Sequence, residues 1–404
     1  MLEMSLSRIT PKPETINKAR TAFAGVLKRP QTTFPRLVKE DLLWQDAARV
    51  GQELKKKYKK IVICGIGGSS LGAQVVAALG EHHRIYFLDN VDGASFDRLM
   101  AKLDFKSTGY LFVSKSGGTI ETLAAADYIR EILAGHGLDL SDFAHVMTES
   151  PTNTLGRWAA AEEIPWTLIP ADVGGRYSVL SPVGMVPAVI CDLSLEKFRA
   201  GAARALARED VVIDLSARFF ESFGRQEWIT VFWFYDNRGK LFGAWLQQLW
   251  AESLGKKVGR SGQAPGRAST PMFAIGAVDQ HSFLQQIMEG AADKFVVFVR
   301  SNSAESGHVS LKSPTFTETA LLKGHPMGRL LKAEALATEE ALHQSGVSTL
   351  TLQTEVLDED GLGELFMMFQ MIVANLGEML DLDPFDQPGV ELGKRLAKDY
   401  LQRT

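Results

Sequence analysis

The sequence predicts an α/β protein built from two doubly wound domains, each a mostly parallel sheet covered by helices on both faces. Three observations carry that expectation. Short apolar runs of strand length alternate with helical periodicity from residue 61 onward. Turns rich in glycine and serine join the ends of two such runs to helices. The second half replays the first in element order and length. A chain of 404 residues also exceeds the roughly 250–300 at which a single core stops growing, so two domains are expected.

Residues 1–40 read as a polar N-terminal arm, 41–195 as the first domain and 196–404 as the second, which ends in a helix. Residues 42–58 carry apolar side chains at helical spacing (Leu42, Leu43, Ala47, Val50, Leu54). Strands follow at 61–64, 84–88, 110–113, 145–147 and 166–169, interleaved with helices at 71–79, 95–103, 119–133 and 180–190. A strand at 228–235, a turn at 236–239 and a helix at 241–254 restart the pattern. Later strands lie at 294–299 and 348–352, a long apolar helix at 362–380, and a terminal helix at 389–400 after Pro388. The segment 255–269, rich in Gly, Ser and basic residues, suits a loop beside a ligand.

Composition is that of a soluble globular protein, 45% hydrophobic and 23% charged, and no run approaches the ~18 apolar residues of a membrane span. Net charge is -4 and the longest basic tract is Lys55-Lys56-Lys57, so nothing favours nucleic acid or an anionic membrane; a grip on an anion must be local. Cys64 and Cys191 lie in apolar runs and read as buried free thiols. The first residues contain acidic groups and no apolar stretch of leader length, which points to the cytoplasm.

Ser114-Lys115-Ser116-Gly117-Gly118-Thr119 joins a buried strand to a helix. Helix N-termini gather unpaired N–H groups and positive dipole, glycines admit a ligand to the backbone, and hydroxyls add donors: a phosphate cradle. It is neither a Walker loop nor a G-x-G-x-x-G fingerprint, which disfavours a nucleotide or a dinucleotide-dependent oxidoreductase. Gly65-Ile66-Gly67-Gly68-Ser69-Ser70 offers a second strand-to-helix turn on the same expected sheet edge. Arg176, after Gly174-Gly175, could stabilise charge developing on a substrate oxygen from a flexible loop. Glu252, at the end of an apolar helix between Trp250 and Leu254, suits a base that abstracts a carbon-bound proton. His281 could exchange protons near neutral pH, and Lys394 could reach a substrate hydroxyl. Consecutive His82 and His83 point apart, and no histidine pair with a carboxylate has metal-ligand spacing.

These segments, GIGGSSLG, SKSGGTIET, VGGRYSVLSPVG, WAESLGKK, DQHS and FDQPGVELGK in this order over residues 61–398, resemble the phosphoglucose isomerase family. The resemblance implies two sugar isomerase (SIS-type) α/β/α sandwich domains. It further implies interconversion of glucose 6-phosphate and fructose 6-phosphate in glycolysis and gluconeogenesis, with no metal or other cofactor. By the same resemblance Ser114, Lys115, Ser116 and Thr119 hold the phosphate and Gly67, Gly68 and Ser69 border the sugar. Glu252 is the base, Arg176 stabilises a cis-enediolate, His281 assists ring opening with Lys394 nearby, and Gln387 closes the pocket. A homodimer that shares its active sites is implied as well. The family's Gly-Thr-Asn-Gly-Gln-His stands here as Gly276-Ala277-Val278-Asp279-Gln280-His281, and the 255–270 loop is compact, which leaves mannose 6-phosphate open as a further substrate. A sugar-phosphate-binding regulatory module on the same fold is the competing reading.

Overall fold

Ten strands among the described residues divide between two five-stranded sheets. The computed structural model describes every residue except 1–2, 8, 81–83, 306 and 404, so His82 and His83 lie outside the described residues. In chain order the strands are β1 (Glu3–Ser7), β2 (Lys60–Cys64), β3 (Ile85–Leu88), β4 (Thr108–Val113), β5 (Ala144–Thr148), β6 (Trp166–Leu168), β7 (Ile229–Phe234), β8 (Thr270–Ile275), β9 (Lys294–Ser301) and β10 (Ser348–Thr354). The first sheet is parallel throughout, in the order β3-β2-β4-β5-β6. The second runs β8-β7-β9-β10 in parallel, with β1 added antiparallel beyond β10.

The central strands of each sheet are buried on both faces, and strand periodicity sorts the side chains between them. Ile61 and Ile63 of β2 face one core, Val62 and Cys64 the other. In β7, Phe232 and Phe234 enter the core that also holds Ile61 and Ile63, whereas Val231 and Trp233 face a separate outer core. One apolar core therefore lies between the two sheets and two smaller ones lie outside them. The central core is filled by helices such as Pro182–Ile190, Gly239–Leu254 and Glu359–Met379. The last of these is apolar nearly all round, as a helix surrounded by protein must be.

From its first strand outward, each sheet has the same order. In the first, β2 sends its connection to β3 on one side while β4 proceeds to β5 on the other; β7 and β9 stand in the same relation in the second. The crevice outside the carboxyl ends of such a strand pair is where open α/β sheets bind ligands. The first crevice is bordered by the turn that follows Cys64 and the loop that follows Val113, since Cys64 pairs with Phe112. The second is filled by protein. Arg238 donates to both Asp236 oxygens (3.0 and 2.7 Å), to the Leu357 carbonyl (3.0 Å) and to Ser303 Oγ (2.9 Å), and Ser301 Oγ donates to Asp236 Oδ2 (3.0 Å).

The observed strands fall at the predicted places, with two additions. β8 is an edge strand with Pro271 in its second position, where a missing N–H is tolerated but the sequence signal is weakened. Within residues 1–40, β1 pairs with β10, and Pro13–Lys28 is a helix whose Ala19, Phe23 and Val26 are buried in the central core.

Candidate active site

Burial of Trp250 aims the helix Gly239–Leu254. Its ring is fully enclosed beside Phe219 and Phe232, and its Nε1 donates to the Ser269 carbonyl (3.1 Å). Two residues onward is about 200° around a helix, so Glu252 projects away from that core and toward the first sheet's crevice. The apolar neighbours suggested by sequence adjacency are thus not the neighbours in space. The carboxylate is about one-third exposed; Oε1 accepts from Gln248 Nε2 (3.1 Å) and Oε2 from Arg176 Nη1 (3.4 Å).

Arg176, expected on a flexible loop, is buried in the turn Gly175–Tyr177, with 4% of the residue exposed. Its five N–H groups are directed at five acceptors. Nε donates to Ser253 Oγ (2.8 Å), Nη1 to Gln387 Oε1 (2.9 Å) and, at longest range, to Glu252 (3.4 Å). Nη2 donates to the Pro384 and Asp386 carbonyls, both at 2.7 Å. A guanidinium is costly to bury unless so satisfied, and here one side chain joins the VGGR turn, the Glu252 helix and the 383–387 segment.

Lys256 forms a second clamp, donating to the carbonyls of Glu252 and Asp386 and pairing with the Asp386 carboxylate at 3.1 Å. Burial pulls its ammonium below the usual lysine range, and Arg176 adds to that, while Asp386 opposes it. Phe385 is fixed by Tyr177 and by the Arg29 guanidinium. Glu252, Lys256, Arg260, Asp386 and Gln387 line an open cavity of about 910 Å³.

Gly68 links this cluster to the first sheet. A Cβ there would stand 2.5 Å from the carbonyl carbon of Gly175, so only glycine lets the 65–70 turn lie against the arginine turn. Gly67 backs onto the Gln248 carboxamide, Ser69 is half-buried beside it, and Gly65 abuts the Val113 carbonyl, one residue before the phosphate-type loop. In that loop Ser114 Oγ and Thr119 Oγ1 lie 2.8 Å apart, and Ser114 Oγ accepts from Gly117 N (3.1 Å). Ser116 is exposed. Gly117 has φ of +65°, and a Cβ would fall 2.1 Å from Asn153 Oδ1. Thr119 makes no side-chain cap, so the first turn of Ile120–Gly135 presents its amides outward. Lys115 pairs with Glu149 at 3.6 Å.

The structure therefore joins Gly67, Gly68, Ser69, Arg176, Glu252 and Gln387, with Ser114, Lys115, Ser116 and Thr119 at the adjoining strand end. His281 and Lys394 do not line the cavity. His281 is exposed on the turn Val278–His281, and Lys394, on the exposed helix Glu391–Arg403, hydrogen-bonds Glu391 (2.8 Å). Gln248, Ser253 and Lys256 went unnoticed in the sequence. Gln248 was legible as the residue one turn before Glu252 on the same face; the others depend on tertiary contacts. Cys64 and Cys191 are buried and free, and burial raises both thiols, that of Cys191 to about 11.

The doubly wound fold is shared with solved structures named as sugar-phosphate isomerases. Tagatose-6-phosphate ketose/aldose isomerase from Escherichia coli shares that fold at 14% identity, with a TM-score of 0.55 over 94% of this chain and 98% of its own. A hypothetical protein of Thermus thermophilus superimposes far more closely, with a TM-score of 0.90 at 31% identity over 99% of this chain and 100% of its own. The family model for phosphoglucose isomerase matches residues 45–404. Glucose-6-phosphate isomerases from Rubrobacter xylanophilus and Thermus thermophilus are 33% and 36% identical, over 96% and 89% of this chain and 94% and 89% of theirs. The chain belongs to the phosphoglucose isomerase family.

Proposed function

We propose that this enzyme interconverts glucose 6-phosphate and fructose 6-phosphate by moving one proton between C2 and C1 of the open-chain sugar through a cis-enediolate. The observation that carries this reading is the partly exposed Glu252 carboxylate held by Gln248 and facing the Arg176 guanidinium at the rim of an open cavity. Glu252 takes the proton from C2 of the aldose while the C2–H electron pair forms the C1=C2 bond and the C1 carbonyl pair moves onto O1; a proton passes from O2 to O1, and the carboxyl delivers a proton to C1 as the C2 carbonyl forms. As Glu252 is neutralised, its hold on Arg176 Nη1 weakens, and the enediolate oxygen takes that donor. Ser114, Ser116, Thr119 and the helix amides hold the phosphate, Lys115 adds charge, and Gly67, Gly68 and Ser69 border the sugar. Gln387, whose Oε1 accepts from Arg176 Nη1 (2.9 Å), closes the pocket.

Ring opening falls to His281, with Lys394 nearby. Because His281 stands outside the cavity of its own chain, we assign it to the site of a second copy, in a homodimer with shared active sites. In the same reading the domains are 41–195 and 196–404 behind an arm at 1–40, and the enzyme works in the cytoplasm; no helix among the described residues is long and apolar enough to cross a membrane.

The test is conversion of fructose 6-phosphate to glucose 6-phosphate, followed by coupled NADP reduction with excess EDTA, with mannose 6-phosphate assayed in parallel. EDTA-insensitive turnover supports the proposal, and the parallel arm decides epimer selectivity. Saturable binding without turnover contradicts it and favours a sensor.

A further inference from the structure

We infer that Gln280 is a positioning residue for His281, fixing the turn that presents the imidazole. This rests on the reading of His281 as the ring-opening group. The turn Val278–His281 follows edge strand β8 and has no buried residue, so little apolar packing holds it. Polar side chains hold it instead. Asp279 Oδ2 accepts from the Ile275 amide (2.7 Å) and Oδ1 from Ser282 Oγ (2.8 Å), which closes the turn on itself.

Gln280 ties the turn to the body of the second half. Its Nε2 shares its two N–H groups among three acceptors, Tyr235 Oη (2.6 Å), the Glu334 carbonyl (3.2 Å) and Thr338 Oγ1. A backbone carbonyl can only accept, so the Glu334 contact fixes which end of the carboxamide faces inward. The anchors are rigid: Tyr235 is 2% exposed at the end of β7, packed on Trp233 and Phe298, and Thr338 is 6% exposed on the helix Gly328–Gln344. His281, the next residue, is exposed, and no described side chain hydrogen-bonds its ring. One side chain thus anchors the turn to a strand end and a helix while the following one is held out toward solvent.

A misplacement of about 1 Å at a catalytic group costs on the order of a hundredfold in rate. Gln280→Ala, His281→Asn and the double variant, assayed with glucose 6-phosphate, form a cycle. Gln280→Ala should lower kcat by about tenfold to a hundredfold with KM within about threefold, and the double variant should be no slower than His281→Asn alone. A near-normal Gln280→Ala, or a double variant slowed by the full product of both factors, overturns the inference. The second readout is the His281 ring resonance by NMR, which Gln280→Ala should shift or broaden. If His281→Asn turns over like the parent enzyme, the ring-opening role fails, and the resonance alone decides the clamp: a change upholds it and an unchanged signal overturns it.

Discussion

The two halves reach their switch points by the same strand order and finish them with opposite chemistry. At the first, glycines and hydroxyls line the turns after β2 and β4, and the first amides of Ile120–Gly135 face outward. At the second, Asp236 and Arg238 neutralise each other, and Ser301, Ser303 and the Leu357 carbonyl take up the remaining donors and acceptors. One topology therefore yields a receptive crevice where polar groups are left for a ligand and a structural plug where the protein satisfies its own. The second half contributes Glu252 instead, on the helix that starts at its plugged crevice and ends at the open one.

The largest effect that sharpens this contrast is at the base. Glu252→Gln should lower kcat by about 10³-fold or more while a sugar phosphate titrated by calorimetry binds within a few-fold of the parent. Acid should act on the first half. His145 on β5 is buried, hydrogen-bonded to Thr167 (2.8 Å), and desolvation lowers its pKa from 6.5 to about 4. The unfolded chain binds that proton more readily, so the contribution is complete above pH 6.5 and is lost as pH falls toward 4. About 3 kcal/mol is the upper scale, and His145→Gln should flatten that part of a denaturation-against-pH curve. Arg238→Met tests the plug: unfolding should ease by about 2 kcal/mol in urea melts, with kcat and KM within about twofold of the parent. A large rise in KM for the sugar phosphate would show instead that the second crevice binds it. Smallest, Ser114→Ala should raise KM about tenfold with kcat nearly unchanged, because the proposed role of its hydroxyl is to hold the phosphate, remote from the reacting carbons.

Strands and the open crevice were legible because both follow from local pattern: buried strands read as apolar runs, and turns must carry Gly and Ser where backbone approaches a ligand. Glu252 was legible in identity and not in environment, because Trp250 adjoins it in sequence and points the other way. Arg176 was expected to be mobile, since two preceding glycines hide the five acceptors that Ser253, Gln387, Glu252, Pro384 and Asp386 supply from distant segments. The plug was invisible for the same reason: Asp236 and Arg238 look like an ordinary exposed turn until Ser301, Ser303 and Leu357 close over them. The order inside 1–40 also depends on partners far along the chain, with β1 paired to β10.

The most direct test of proton transfer by Glu252 is proton NMR of fructose 6-phosphate in D₂O with the parent enzyme and with Glu252→Gln. Glucose 6-phosphate carrying deuterium at C2 is expected from the parent in those turnovers in which the proton held by Glu252 exchanges with solvent before delivery, and neither turnover nor exchange from the variant despite retained binding. Turnover by Glu252→Gln near the parent rate would remove the proton transfer from Glu252 and with it the central claim.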